Sequence, residues 1–152
     1  MVHLTTQDLL KMGRNIPVPF YMKIKKNATE ELLKIKKLLR IVPGKRLTAL
    51  CRWRDKEVIV KIFFHPARWK RNQSRDLLGT SLLLKRDLPA PLILGNTLTA
   101  DKNGALIILE YLRTGNTLNH FVRKAANKKD TYRLMEKAVL TIGDCHKKGV
   151  WQ

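Results

Sequence analysis

Lys61 stands in a run of β-forming apolar residues, Val58-Ile59-Val60-Lys61-Ile62-Phe63-Phe64. An ammonium in such company is costly unless an anion meets it or its long stem carries it to water. Strand alternation puts Ile59, Lys61 and Phe63 on one face and Val58, Val60, Ile62 and Phe64 on the other. Just upstream, the turn Pro43-Gly44-Lys45-Arg46 adds two further cations. Together they suit a phosphate chain; the alternative is an edge-strand lysine that snorkels to solvent. Other chemistries find no support. His3, His65, His120 and His146 lack metal-ligand spacing, and Cys51 and Cys145 fall in unrelated elements, as in a reduced compartment. No G-x-S-x-G, Walker loop or C-x-x-C is present. Trp53, Trp69, Trp151, Phe63 and Phe64 fit either core packing or the stacking of bases.

The elements that must position these residues follow from pattern. Residues 1–26 are weakly patterned, with Gly13, Pro17 and Pro19 breaking helices and Ile16 to Ile24 open to an extended form. From Asn27, an Asn27/Glu30 capping pair and a stripe of Leu32, Leu33, Ile35, Leu38 and Leu39 predict a basic amphipathic helix. It would pack on its own domain, a membrane surface and nucleic acid being the other partners such a helix takes. Strands are expected over Leu47 to Trp53 and Val58 to Phe64, joined through Arg54-Asp55-Lys56-Glu57, then a helix from Arg68 to Lys85. Leu92 to Leu98 and Ala105 to Leu112 form a second strand pair about Asp101-Lys102-Asn103-Gly104. After the turn Arg113-Thr114-Gly115-Asn116 come a short helix near Leu118 to Ala126 and a longer one from Thr131 to Lys148. Asp130 is its expected N-cap and Gly149 its C-cap, and Met135, Ala138, Val139, Ile142 and Cys145 line one face.

Thirty-one Lys and Arg against twelve Asp and Glu give a net charge of +19 over 152 residues, with 44% hydrophobic residues. That apolar content supports a core and excludes a wholly disordered basic chain. The charge draws polyanions, whether nucleotide, nucleic acid, phosphorylated glycolipid or an anionic membrane, without choosing among them. No apolar run is long enough to span a bilayer, and Met1-Val2-His3-Leu4-Thr5 lacks the order of a signal peptide. A cytoplasmic chain is expected.

The order strand-strand-helix-strand-strand and then helices resembles a protein-kinase small lobe entering its large lobe. Val58-Ile59-Val60-Lys61 resembles the V-A-I-K strand, Leu109-Glu110-Tyr111-Leu112 the hinge, and Asp144 to Val150 the helix end that precedes a catalytic loop. Pro43-Gly44-Lys45-Arg46-Leu47, Lys61-Ile62-Phe63, Arg75-Asp76-Leu77-Leu78-Gly79 and Leu88-Pro89-Ala90-Pro91 are most similar to the small bacterial lipopolysaccharide-core kinases and their toluene-tolerance-type relatives. The resemblance covers residues 41–152. It implies an α+β, kinase-like small lobe with about five antiparallel strands and one helix, followed by the first helices of the large lobe. The expected division is an N-terminal extension over 1–40 carrying the basic helix, the small lobe and hinge over 41–112, and an incomplete large lobe over 113–152.

The resemblance also implies roles. Lys61 corresponds to the lysine that grips the α- and β-phosphates of ATP, and Asp76 to the helix acid that holds it. Aspartate is a methylene shorter than the family's glutamate, so Gln73 or a water is an alternative bridge. Leu109 would border the adenine pocket, the Glu110 carbonyl and Leu112 amide would bond the adenine edge, and Ile59, in place of an alanine, would tighten the pocket. Gly44 stands in for a glycine-rich loop without G-x-G-x-x-G, with Lys45 or Arg46 substituting charge for backbone amides. The catalytic aspartate and the magnesium ligands of a full-length relative would follow the segment near Gln152, so this chain by itself is expected to be inactive and to bind ATP weakly. The parent would act on lipopolysaccharide-core sugar or a similar phosphorylated glycolipid, peripherally at the inner membrane face. The final helix offers a surface for self-association. The alternative function is a small basic nucleic-acid-binding protein without enzymatic activity.

Overall fold

A computed structural model describes residues 1–113 and 115–151; Thr114, in the expected turn, and Gln152, at the expected entry to a catalytic loop, lie outside the described residues. Among them the chain is α+β: a six-stranded antiparallel sheet with helices. The strands are β1 (Phe20–Lys26), β2 (Thr29–Val42), β3 (Arg46–Trp53), β4 (Lys56–Phe63), β5 (Ile93–Leu98) and β6 (Ala105–Glu110), in the order β1-β2-β3-β4-β6-β5. Four helices accompany them: α1 (Thr6–Met12), α2 (Trp69–Lys85), α3 (Leu118–Lys124) and α4 (Lys128–Lys147).

The basic helix expected after Asn27 is instead β2, the longest strand. Asn27 adopts a left-handed conformation, φ 52°, in a two-residue turn between Lys26 and Thr29, and so closes the β1–β2 hairpin rather than capping a helix. Alternation then buries Leu33 and Ile35 completely while Leu32 and Leu39 stay exposed. Residues 41–112 hold β3 to β6 and the end of β2, and β1 with the rest of β2 extends the sheet from the N-terminal side to six strands. The β3–β4 connection is tighter than expected: Arg54 and Asp55, both left-handed, make a two-residue turn between Trp53 and Lys56.

The sheet curls until its edges meet. Ile24 of β1 bridges Thr99 beyond β5, the Ala100 amide donates to the Lys23 carbonyl at 3.0 Å, and the Thr97 hydroxyl donates to the Lys25 carbonyl. Inside the curl lie Phe20, Met22, Leu33, Ile35, Leu47, Val60, Ile62 and Leu106, closed off by Leu4, Leu9 and Ile16 from the N-terminal segment. A second, smaller cluster lies outside it, where Phe63, Ile107 and Leu109 pack with Trp69 and Leu77 of α2. These two clusters are the two faces of β4 that alternation predicts.

By its contacts the chain divides into two compact units: Met1–Ser81 with Ala90–Tyr111, and Leu82–Pro89 with the chain from Leu112 onward. In the second, Asn127 rather than Asp130 caps α4, its side chain accepting from the Asp130 amide at 2.9 Å. Lys148 is the C-cap and Gly149, φ 70°, follows it, with the Gly149 and Val150 amides donating to the His146 and Cys145 carbonyls, each at 2.8 Å. That is a Schellman ending. No helix of the described residues is long and apolar enough to cross a membrane. On α4, Tyr132, Met135, Val139, Leu140 and Ile142 are all exposed. Because tertiary burial supplies most helix stability, amides of 133–145 should exchange about 100-fold or more faster than those of Val58 to Phe63. Equal protection in a monomer, measured by hydrogen exchange, would contradict this.

Candidate functional site

Lys61 projects from the outer face of β4, opposite Thr48 on β3 and Ile107 on β6. The helix α2 lies over this face with Trp69 and Leu77 in its apolar cluster, which brings Asp76 inward. Its Oδ2 accepts from Lys61 Nζ at 3.0 Å, and the two side chains are 26% and 29% exposed. The shorter acid therefore reaches the lysine directly. Gln73 is not the bridge: its Nε2 donates to the Leu106 carbonyl at 3.3 Å, fixing α2 to β6 one turn before Asp76. Thr80 adds a bond to the Asp76 carbonyl at 3.0 Å. A lysine held at one point by a carboxylate keeps two further N–H donors, which is what a phosphate oxygen requires.

Around this pair the other expected residues divide. Ile59 shares the face of Lys61 and packs, half-buried, in the outer cluster with Leu109, which is 3% exposed. Glu110 ends β6 opposite Val58; its amide donates to the Leu92 carbonyl at 2.9 Å, and its carboxylate accepts from the Leu92 amide at 3.4 Å. Leu112 belongs to the second unit and is 53% exposed. Gly44, φ 67°, follows Pro43 in a turn closed by the Lys45 amide donating to the Val42 carbonyl at 3.0 Å. A left-handed residue after proline is the type II arrangement, which explains Pro-Gly here without any ligand.

A cleft of about 330 Å³ that was not foreseen from the sequence lies beside that turn. Arg40, Lys45 and Arg46 line it from the β2–β3 hairpin, His65 and Arg68 from the connection after β4, and Asn72 and Arg75 from α2. No acid lines it, and none of its five Lys and Arg side chains has an acidic partner among the described residues. The signal was present in part, since Arg68, Asn72 and Arg75 recur at the spacing of one helix face. Arg40 joins them only because β2 is a strand paired to β3.

Cys51 is fully buried in the core and burial pushes its thiol pKa up to about 12, so it is no nucleophile near neutrality. Among the described residues no group of three His, Cys, Asp or Glu comes together to hold a metal ion.

No family model matches the chain, and no curated protein matches it. Among solved structures, a structure of vaccinia related kinase 3 aligns with 79% of this chain at 11% identity and a TM-score of 0.47. The chain spans 38% of that protein's length.

Proposed function

We propose that this chain is the nucleotide-binding part of a kinase-like phosphotransferase. The observation that carries the reading is the 3.0 Å ion pair between Lys61 on the strand and Asp76 on the helix packed over it. The pair fixes an ammonium beside half-buried Ile59, the proposed apolar contact for an adenine, with Leu109 buried behind it and Lys45 and Arg46 at the adjoining turn for the phosphates. The Glu110 carbonyl and Leu112 amide are the proposed adenine contacts. In this reading nucleotide binding is what these 152 residues contribute to a phosphotransferase. A phosphorylated glycolipid such as lipopolysaccharide core is the proposed acceptor, with the +19 charge favouring an anionic inner membrane surface. The exposed face of α4 is the proposed surface for a second copy.

Nucleotide titration tests the reading. ATP should bind at least about tenfold tighter than inorganic tripolyphosphate, because adenine adds contacts, and Lys61→Ala should weaken ATP at least about tenfold, a loss of about 1.4 kcal/mol or more. Lys11→Gln with Lys56→Gln, exposed cations elsewhere, should change affinity by less than about twofold, because screening weakens distant charges. If ATP shows no advantage, or both variants weaken it equally, binding comes from the basic surface and a nucleic-acid-binding function takes precedence.

A further inference from the structure

We infer that the basic cleft beside the β2–β3 turn is a binding site for a ring carrying several phosphate groups, a polyphosphorylated sugar or cyclitol, whether free or as a lipid headgroup. The inference does not rest on the nucleotide reading: the cleft includes Lys45 and Arg46, offered to phosphates in that reading, but Lys61 neither lines it nor shares its acid with it. Five unpaired cations around one concavity repel one another, and nothing in the fold offsets this. Elsewhere in the same unit Lys23, Lys26, Lys36, Arg52, Arg54 and Lys61 each meet a carboxylate. In the cleft five cations converge with no acid among its lining residues.

The arrangement also selects the ligand. Cations come from three directions, the hairpin, the connection and the helix, which suits phosphates radiating from a compact ring. Arg40, Arg46, Arg68 and Arg75 can each grip a phosphate through two parallel N–H donors. His65 adds a donor of its own: Nδ1 accepts from the Ala67 amide at 3.2 Å, which leaves Nε2 to carry the proton. Asn72 supplies an amide for a ring hydroxyl or phosphate oxygen. A nucleic-acid strand would need an extended track with aromatic platforms, and no Trp, Tyr or Phe lines this cleft.

The experiment uses the full chain and three probes: inositol hexakisphosphate, vesicles containing phosphatidylinositol bisphosphate, and a single-stranded oligonucleotide. Inositol hexakisphosphate should bind saturably at one site per chain and raise the melting temperature. Arg68→Ala with Arg75→Ala should weaken it at least about thirtyfold, while Lys61→Ala and the pair Lys11→Gln with Lys56→Gln change it less than about twofold. The arginine variant should melt no lower than the wild type without ligand, since its removal relieves repulsion, and it should lose the ligand-induced rise. Vesicle binding displaced by the soluble compound assigns the ring to a lipid headgroup, and soluble binding alone assigns it to a free metabolite; either supports the site. Absence of saturable binding, an equal loss in the Lys11/Lys56 or Lys61 variants, or tighter competing binding of the oligonucleotide would overturn it.

Discussion

Replacing Asp101 with alanine should destabilise the chain by about 3 kcal/mol near neutral pH, an effect large against a domain's whole stability. One carboxylate there collects four donors. The Thr6 amide and hydroxyl reach it at 2.9 and 2.7 Å, the Asn103 amide at 3.1 Å, and the Thr99 hydroxyl completes the set. Hydrogen bonds to a charged group contribute about 1.5–3 kcal/mol each at best, less here because the site is partly exposed. Thr6 is 1% exposed, so its hydroxyl would lose its partner without gaining water. The linkage matters because it joins the first turn of α1 to the β5–β6 turn, and α1 carries Leu9 into the open end of the curled sheet. Gly104 in the same turn passes so close that a Cβ would lie 2.7 Å from the Phe63 carbonyl oxygen, leaving no slack for an alternative packing.

The same carboxylate sets a pH dependence. Burial alone would raise its pKa, but the bonds from Thr99, Thr6 and Asn103 outweigh burial and hold it below the ordinary value. For an acid depressed in the folded state, the stabilisation is fully present above the unfolded value, about 3.9, and is lost as pH falls through the lower folded value. Denaturant midpoints of wild type and Asp101→Ala should therefore differ most near pH 7, and the gap should narrow as pH falls below about 3.9. Asp101→Asn, which keeps one acceptor oxygen, should fall between them. A loss below about 1 kcal/mol near neutrality would show that the N-terminal segment is held by its apolar side chains instead.

Much of this architecture was legible because local pattern and tertiary burial agree. In β4 the period of two separates Val58, Val60 and Ile62, buried inside the curl, from Ile59, Lys61 and Phe63 outside, so the face of Lys61 could be read directly. The helix α2 begins one residue from its expected start and ends at Lys85 as expected, where the following Leu88-Pro89 bounds it. The failure at residues 27–40 has a specific cause. The β2–β3 ladder shifts register between Ile35 and Lys37 and again between Leu38 and Arg40. Each irregularity lets the strand slip a residue, so its core-side positions run Leu33, Ile35, Leu38, Ile41. Steps of two, three and three imitate a helix. Losing β2 also hid the basic cleft, because Arg40 joins Arg68 and Arg75 in it only through the strand pairing of β2 with β3.

That distinction yields the largest expected effect of any single substitution. Leu33→Lys should prevent stable folding, because Leu33 is fully buried in the curl and an unpaired buried ammonium costs more than about 4 kcal/mol. Leu32→Lys and Leu39→Lys should change stability by no more than about 0.5 kcal/mol, since their side chains are 43% and 50% exposed. A helix over the same residues would reverse part of this order: Leu32, Ile35 and Leu39 would share its inner face, and a lysine at either leucine would be as damaging as one at Ile35. Because Leu33→Lys is expected to yield no measurable folded state, Leu33→Ala supplies the quantitative arm, with a cost of about 2–5 kcal/mol from lost burial and the remaining cavity. Denaturant curves of the alanine variant, with melting temperatures of the two exposed-leucine variants, separate the cases. Tolerance at Leu33 together with collapse at Leu32 would mean that β2 does not form, and with it the wall that holds Arg40 against the cleft would go.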